Sequence, residues 1–197
     1  MAILVILAHP NKQSFNTAIA QTVVQQLREL GHKVFFHDLY AEKFDPLLYQ
    51  DEFPKDIPLT PLIQQHCTQL AHADGIVIVH PNWWGQPPAI LKGWVDRVIR
   101  PGVAYRFIEG DSGQGVPAGL LKAHTAVVIN TSNTSQEREC SVFGDPLEHI
   151  WKDCIFGLCG VKHFYRTMFR TIVTSTPEER RQWLEEVKKI VHNFFPT

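Results

Sequence analysis

Two tryptophans side by side, Trp83 and Trp84, lie in a stretch that neither a helix nor a strand can carry through: His80-Pro81-Asn82-Trp83-Trp84-Gly85-Gln86-Pro87-Pro88. Indoles bury best in cores, so a pair of them in a turn asks for a flat partner or an interface. The prolines around them favour a wall for a ring. A second group, Ser14-Phe15-Asn16, falls where a helix should begin, and the open N–H groups and dipole of a helix start favour an anion such as a phosphate. Ser14 or Asn16 fits a plain N-cap equally well. A third group, Thr131-Ser132-Asn133-Thr134, offers hydroxyls and amides that suit the polar edge of a heteroaromatic ring, or else an ordinary Ser/Thr/Asn turn. Neither G-x-G-x-x-G nor G-x-x-x-x-G-K-[ST] occurs, which counts against a Rossmann dinucleotide site and a nucleotide triphosphatase.

These groups need elements to position them. Ile3-Leu4-Val5-Ile6-Leu7-Ala8 is a short, unbroken apolar run, as expected of a strand covered on both faces. Asn16 to Leu30 then shows helical spacing, with Ile19, Val23, Leu27 and Leu30 on one face and Gly31 as a stop. Further strands are predicted at Lys33 to His37, Gly75 to His80, Thr125 to Asn130 and about Val161 to Phe169. Helices are predicted at Pro58 to Ala73, Ala89 to Ile99, about Pro146 to Phe156, and Pro177 to Phe195. Ala41 to Pro58 reads as a long loop and Pro101 to Leu121 as an excursion over the surface. The alternation implies an α/β fold, a doubly wound five-stranded parallel sheet within one domain over residues 1–197. Ligands of such sheets bind outside the carboxyl ends of the strands, and each of the three candidate groups follows an apolar strand.

A chain of 197 residues with 44% hydrophobic residues and a formal net charge of −1 describes a globular protein without a nucleic-acid partner. No stretch reaches the roughly 18–20 apolar residues of a membrane span, so no membrane insertion is expected. Cys67, Cys140, Cys154 and Cys159 show no C-x2-C spacing. A reducing cytoplasm and core packing for each of them are expected. The ten histidines are scattered, and no metal site is expected.

The stretch from Pro81 to Val98 resembles a motif of the flavodoxin-like NAD(P)H:quinone reductase family, a proline and an aromatic-rich turn followed by P-A-I-L-K-G-W and an acidic-basic pair, here Pro88 to Trp94 and Asp96-Arg97. Ala8-His9-Pro10 with Ser14-Phe15-Asn16, and more weakly Ala104-Tyr105, are similar to two further motifs of that family, which includes the flavoprotein ancillary subunits of potassium-efflux systems. The similarity is loose from Thr134 onward. It implies a bound flavin, FMN or alternatively FAD, with its phosphate at His9, Ser14, Phe15 and Asn16. Its ring would lie against Pro81, Asn82, Trp83, Trp84 and Gly85, with the opposite ring edge at Thr131, Ser132, Asn133 and Thr134. NADH or NADPH would be the donor, and a quinone or similar small aromatic molecule the acceptor, with two electrons passing as hydride in ping-pong order. The family's T-T-G-G turn has no glycine counterpart in Asn130-Thr131-Ser132-Asn133. Its tyrosine and histidine fall here on Glu137 or Arg138 and on Phe143, so no catalytic residue is assigned. The resemblance also implies a homodimer, for which Trp94, Phe164, Tyr165 and Phe169 are candidates, although core positions suit them better. Two other roles fit the same family: a redox-sensing regulatory subunit peripherally associated with a potassium-efflux transporter, and a flavodoxin-like electron carrier.

Overall fold

The computed structural model describes residues 1–53, 57–108 and 117–197. Parts of the expected loop over 41–58 and of the excursion over 101–121 lie outside the described residues. Five parallel strands form one sheet in the order β2-β1-β3-β6-β7: β1 (Ala2–Leu7), β2 (Lys33–Asp38), β3 (Gly75–Pro81), β6 (Thr125–Thr131) and β7 (His163–Phe169). Between them run the helices α1 (Phe15–Glu29), α2 (Pro61–His72), α3 (Ala89–Val98), α4 (Gln136–Ser141), α5 (Pro146–His149) and α6 (Pro177–Phe194). Two short antiparallel strands, β4 (Tyr105–Arg106) and β5 (Ala118–Gly119), pair within the excursion.

The unbroken apolar runs have a direct cause. Leu4, Ile6, Ile76, Ile78 and Val128 face one buried layer with Leu70, Trp94 and Trp151. Their neighbours Ile3, Val5, Val77, Val79 and Ile129 face the other, with Ile19, Val23 and Val187. Both faces of the inner strands are dry, so no polar alternation survives.

Local chemistry sets the helix ends. Ser14 caps α1 by accepting the Thr17 N–H at 3.1 Å, so the helix starts one residue earlier than the spacing predicted. At its other end Gly31 (φ +80) accepts the left-handed turn, while the His32 N–H reaches the Leu27 carbonyl and the Gly31 N–H that of Arg28, a Schellman closure. Thr176 and Glu179 form a capping box on α6.

One helix expectation needs correction, and one helix was not expected. The helix expected over 146–156 is one α turn, α5, that widens into a π-helix at Ile150–Gly157. That widening places both Trp151 and Phe156 in the core, with ring centroids 5.6 Å apart. Helix α4 was not anticipated, because Gln136–Ser141 has a single turn's worth of pattern and is mostly exposed.

Candidate active site

The loops after β1, β3 and β6 converge at one rim of the sheet on a cleft of about 290 Å³, lined by His9, Ser14, Phe15, Asn16, Pro81, Asn82, Trp83, Thr131, Ser132 and Asn133 among others. Hydrogen bonds tie the loops together. Asn16 Nδ2 donates to Thr131 Oγ1 at 2.8 Å, and the Asn82 N–H donates to the Thr131 carbonyl at 2.7 Å. At the start of α1 the Ser14 side chain takes the Thr17 N–H and Asn11 takes that of Ser14. The N–H groups of Phe15 and Asn16 have no partner among the described residues, which leaves the helix start open to an acceptor. Asn16 Oδ1 is buried and unpartnered as well, and a ligand donor would satisfy it.

His9 accepts the Asn11 N–H on Nδ1 at 3.1 Å. Its ring lies 6.0 Å from that of Trp83. Burial pushes its pKa down, partly opposed by the Asn11 carbonyl, which lies 3.3 Å from the same nitrogen and would accept from a protonated ring, so the neutral ring is favoured.

The cleft has a fourth contributor that sequence reasoning missed. Ile172 and Arg180, from the segment after β7 and the first turns of α6, complete the lining. The Arg180 guanidinium is held by Ser175 Oγ at 2.8 Å and the Ile172 carbonyl at 2.9 Å, and it lies 5.9 Å from the Phe15 ring. This is the cation a phosphate would want. Its only sequence signal was position, one turn past a Thr-Pro helix start at the same rim.

A profile described as Flavodoxin-like fold matches residues 1–191. An uncharacterized NAD(P)H oxidoreductase of Haemophilus influenzae is 35% identical over 193 residues, covering 92% of this chain and 90% of that protein. The NAD(P)H dehydrogenase [quinone] 1 of Rattus norvegicus is 30% identical over 208 residues, covering 94% of this chain and 74% of that protein. The chain belongs to the flavodoxin-like NAD(P)H:quinone reductase family. Among solved structures, Smu.1420 of Streptococcus mutans UA159 superposes with a TM-score of 0.85 at 30% identity, covering 98% of this chain and all of that one.

In this member of the quinone reductase family, Trp84, Gly85 and Thr134 do not line the first cleft. They line a neighbouring one of about 450 Å³ with Glu139, Phe143 and Pro146, and Asn82 borders both. The cause is the turn itself. Trp83 and Gln86 exchange backbone hydrogen bonds at 3.1 and 3.0 Å, and both residues between them have positive φ, Trp84 at 58° and Gly85 at 70°. This is the pattern of a type I′ hairpin turn, which sends adjacent side chains apart. Trp83, 40% exposed, keeps its ring beside that of His9, while Trp84 is 100% exposed. A left-handed conformation suits Gly or Asn and strains tryptophan. Trp84→Asn is therefore expected to stabilise the fold by roughly 1 kcal/mol, seen as a rise of about 2–4 °C in the melting temperature. An unchanged or lower melting temperature would mean that the turn is not strained.

The third loop spends part of its own polar capacity. The Ser132 N–H is spent on the Phe169 carbonyl at 2.9 Å and the Thr134 N–H on Ser132 Oγ at 3.0 Å, so of these only the Asn133 N–H remains to meet a ligand. Arg138 is exposed, with its guanidinium over the Phe143 ring at 5.2 Å. Trp94 and Phe169 are core residues at 0% and 4% exposure, and Phe164 and Tyr165 pack against the two core layers. Cys67 and Cys159 are buried, whereas Cys140 and Cys154 are exposed, contrary to the core role expected of them. They fall on the outer sides of short helical segments, where a six- or eight-residue span gives too little periodicity to show which face is buried.

A second polar group lies away from the cleft. His37, Glu42 and His66 bring ligand-type atoms within 4.8 Å of one another. Trp94 Nε1 donates to His66 Nδ1 at 2.9 Å, which puts the ring proton on Nε2, facing Glu42 Oε2 at 3.2 Å. A metal on Nε2 would move that proton to Nδ1, against the indole N–H. The cluster is thus closed by its own hydrogen bonds, clamping α2 and α3 to the end of β2.

Proposed function

We propose that the chain, as one flavodoxin-like domain over 1–197, binds a flavin and acts as an NAD(P)H-dependent oxidoreductase that reduces a quinone or a similar small aromatic acceptor. One observation carries this reading. The cleft joins an open helix start, the orphaned Asn16 Oδ1 and the Arg180 guanidinium to the face of Trp83, which together suit a phosphate-bearing planar ring. The activity is that named for the rat relative, NAD(P)H dehydrogenase [quinone].

On this reading the Phe15 and Asn16 N–H groups and Arg180 hold the phosphate, Trp83 and Pro81 support the ring, and Asn133 and Thr131 meet its polar edge. The cleft lies at the small end of ligand pockets, which favours FMN over FAD. A flavin supplies two-electron chemistry, hydride in from a nicotinamide and out to an acceptor in turn, hence ping-pong kinetics. The protein leaves one side of the ring open and orients it. A cytoplasmic homodimer completes the proposal.

Purified protein is expected to be yellow, and the flavin released from it to be FMN. Arg180→Met and Asn16→Leu should each weaken flavin binding by about tenfold or more, since a charge-assisted or buried hydrogen bond contributes roughly 1.5–3 kcal/mol. A colourless protein that neither FMN nor FAD can reconstitute would sink the proposal.

A further inference from the structure

Behind the Pro81–Trp83 wall runs a buried polar chain whose proton positions are all set by one residue. Arg166 can only donate, so its contact with Asn130 Oδ1 at 3.1 Å turns the other end of that amide, Nδ2, toward His80 Nε2, 2.9 Å away. Trp151 Nε1 donates to the same nitrogen at 2.9 Å. His80 Nε2 is therefore an acceptor, and the ring proton sits on Nδ1, 2.8 Å from the Pro81 carbonyl. Asn130 and His80 are both fully buried, so bulk water does not compete for these bonds. The donors all point one way, from the Arg166 cation to the carbonyl of the last residue of β3.

The Pro81–Asn82 peptide is held from its other end as well. The Asn82 N–H donates to the Thr131 carbonyl at 2.7 Å, and Pro81 and Thr131 are register partners that both line the first cleft. This peptide lies where β3 runs short of ladder bonds. β1 accompanies β3 only as far as Val79, and proline brings no N–H. The His80 side chain supplies a donor that the sheet does not. Trp83 follows this peptide directly, so a rotation here would swing the wall away from the edge formed by Thr131 and Asn133.

We propose that His80 is a positioning residue: by holding the Pro81 carbonyl it sets the spacing between the Pro81–Trp83 wall and the Thr131–Asn133 edge, and keeps the first cleft formed before a cofactor enters. The inference rests on the oxidoreductase reading above. A cleft already in its binding shape gives up less ordering entropy when a planar ring enters. A wall displaced by about 1 Å forfeits much of its van der Waals contact with that ring. His80 does not line the cleft and acts only through the Pro81–Asn82 peptide.

Two substitutions separate the donor of His80 from its acceptor. His80→Asn places an amide nitrogen where Nδ1 stood and keeps the donor to Pro81, but leaves the Trp151 and Asn130 N–H groups without an acceptor. His80→Gln reaches the position of Nε2 and keeps an acceptor for them, but loses the donor to Pro81. A purely structural role would make FMN affinity follow stability and fall further in His80→Asn. The positioning role reverses that order. The FMN Kd should rise at least about tenfold in His80→Gln and stay within about threefold of wild type in His80→Asn, although urea unfolding ranks His80→Asn the less stable. In flavin-free protein, hydrogen exchange of the Asn82 amide, measured by NMR relative to that of Ile78, should be at least about tenfold faster in His80→Gln and unchanged in His80→Asn. Trp151→Phe stands in should His80→Asn fail to fold. It removes one donor to Nε2 and leaves Nδ1 in place, so stability should drop while the FMN Kd stays within about threefold. Affinity that tracks stability across the variants, or an Asn82 exchange ratio unaltered in His80→Gln, would overturn the assignment. The expected exchange pattern in a protein that binds no flavin would support the His80 assignment while sinking the oxidoreductase reading.

Discussion

Replacing Arg166 by methionine is expected to lower stability by about 3 kcal/mol, read as a lower urea midpoint at an unchanged slope. The Arg166 side chain is 5% exposed and ends in three different partners. Its Nε donates to Glu148 Oε2 at 2.9 Å, one terminal nitrogen to Asp145, and the other to Asn130 Oδ1 at 3.1 Å. Methionine fills most of the space and returns none of these bonds. Asn130 is fully buried, so its oxygen would be left without a donor. The carboxylates of Asp145 and Glu148 keep 21% and 37% of their side-chain surface open, so water can take over part of their solvation and the loss stays at the low end of the range for a broken buried pair.

The consequence reaches both clefts. Asn130 leads directly into the turn over 131–134, and Asp145 precedes Pro146, whose ring packs so closely on Gly85 that an added Cβ would stand 2.8 Å away. On the proposed reading, flavin affinity should therefore fall with stability in Arg166→Met. Arg166→Lys should recover only part of it, because a single ammonium cannot reproduce the planar fork. A change below about 1 kcal/mol in Arg166→Met would show that the guanidinium is a bystander.

What could be read from the sequence follows from the range over which each pattern acts. The strands were legible because Ile3, Val5, Leu4 and Ile6 are all buried, so the run has no polar interruption to misread. Their order was not read from the sequence, since the strands are alike in pattern and only the pairing β2-β1-β3-β6-β7 shows which lie side by side. Ser14, Asn16, Trp83 and Thr131 could be gathered into one site because each directly follows a strand that ends at the same rim. Arg180 could not, because it lies well past the end of β7 and reaches the cleft only through the path of the segment over 170–176. The division of Trp83 from Trp84 was also hidden. Neighbouring residues read as one wall until the positive φ of both Trp84 and Gly85 is known.

Acidification should destabilise the protein by about 2 kcal/mol between pH 7.5 and pH 5 through His80 alone. The His80 ring is fully buried. Trp151 Nε1 donates to its Nε2 at 2.9 Å, and Asn130 Nδ2 lies 2.9 Å from the same atom. That nitrogen is thus the acceptor, and the proton sits on Nδ1, facing the Pro81 carbonyl at 2.8 Å. Burial lowers the pKa to about 4, against the Pro81 hydrogen bond that raises it and with the Arg166 charge that lowers it further.

A second proton would place three donors around one nitrogen, and the folded state refuses it. The unfolded chain takes it up near its ordinary value of 6.5. Stability from this group is therefore complete above pH 6.5, declines as pH falls from there, and levels off near pH 4. Glu42 acts in a lower window. Partial burial pushes its carboxyl up, but the hydrogen bonds and charges of His37 and His66 outweigh this and hold it at about 2, so its contribution is present above the unfolded carboxylate range and is lost only as pH falls from there toward 2. His9 and His66 are also lowered by burial and add to the same decline as His80. For that reason the measurement is a difference, urea unfolding of the wild type and of His80→Gln at pH 7.5 and pH 5. Glutamine cannot titrate, so the variant should be less stable than the wild type at pH 7.5 and should lose about 2 kcal/mol less on acidification. Parallel declines in the two proteins would mean that His80 takes its proton in the folded state, and that the tie from Trp151 through His80 to the Pro81 turn is not the one described.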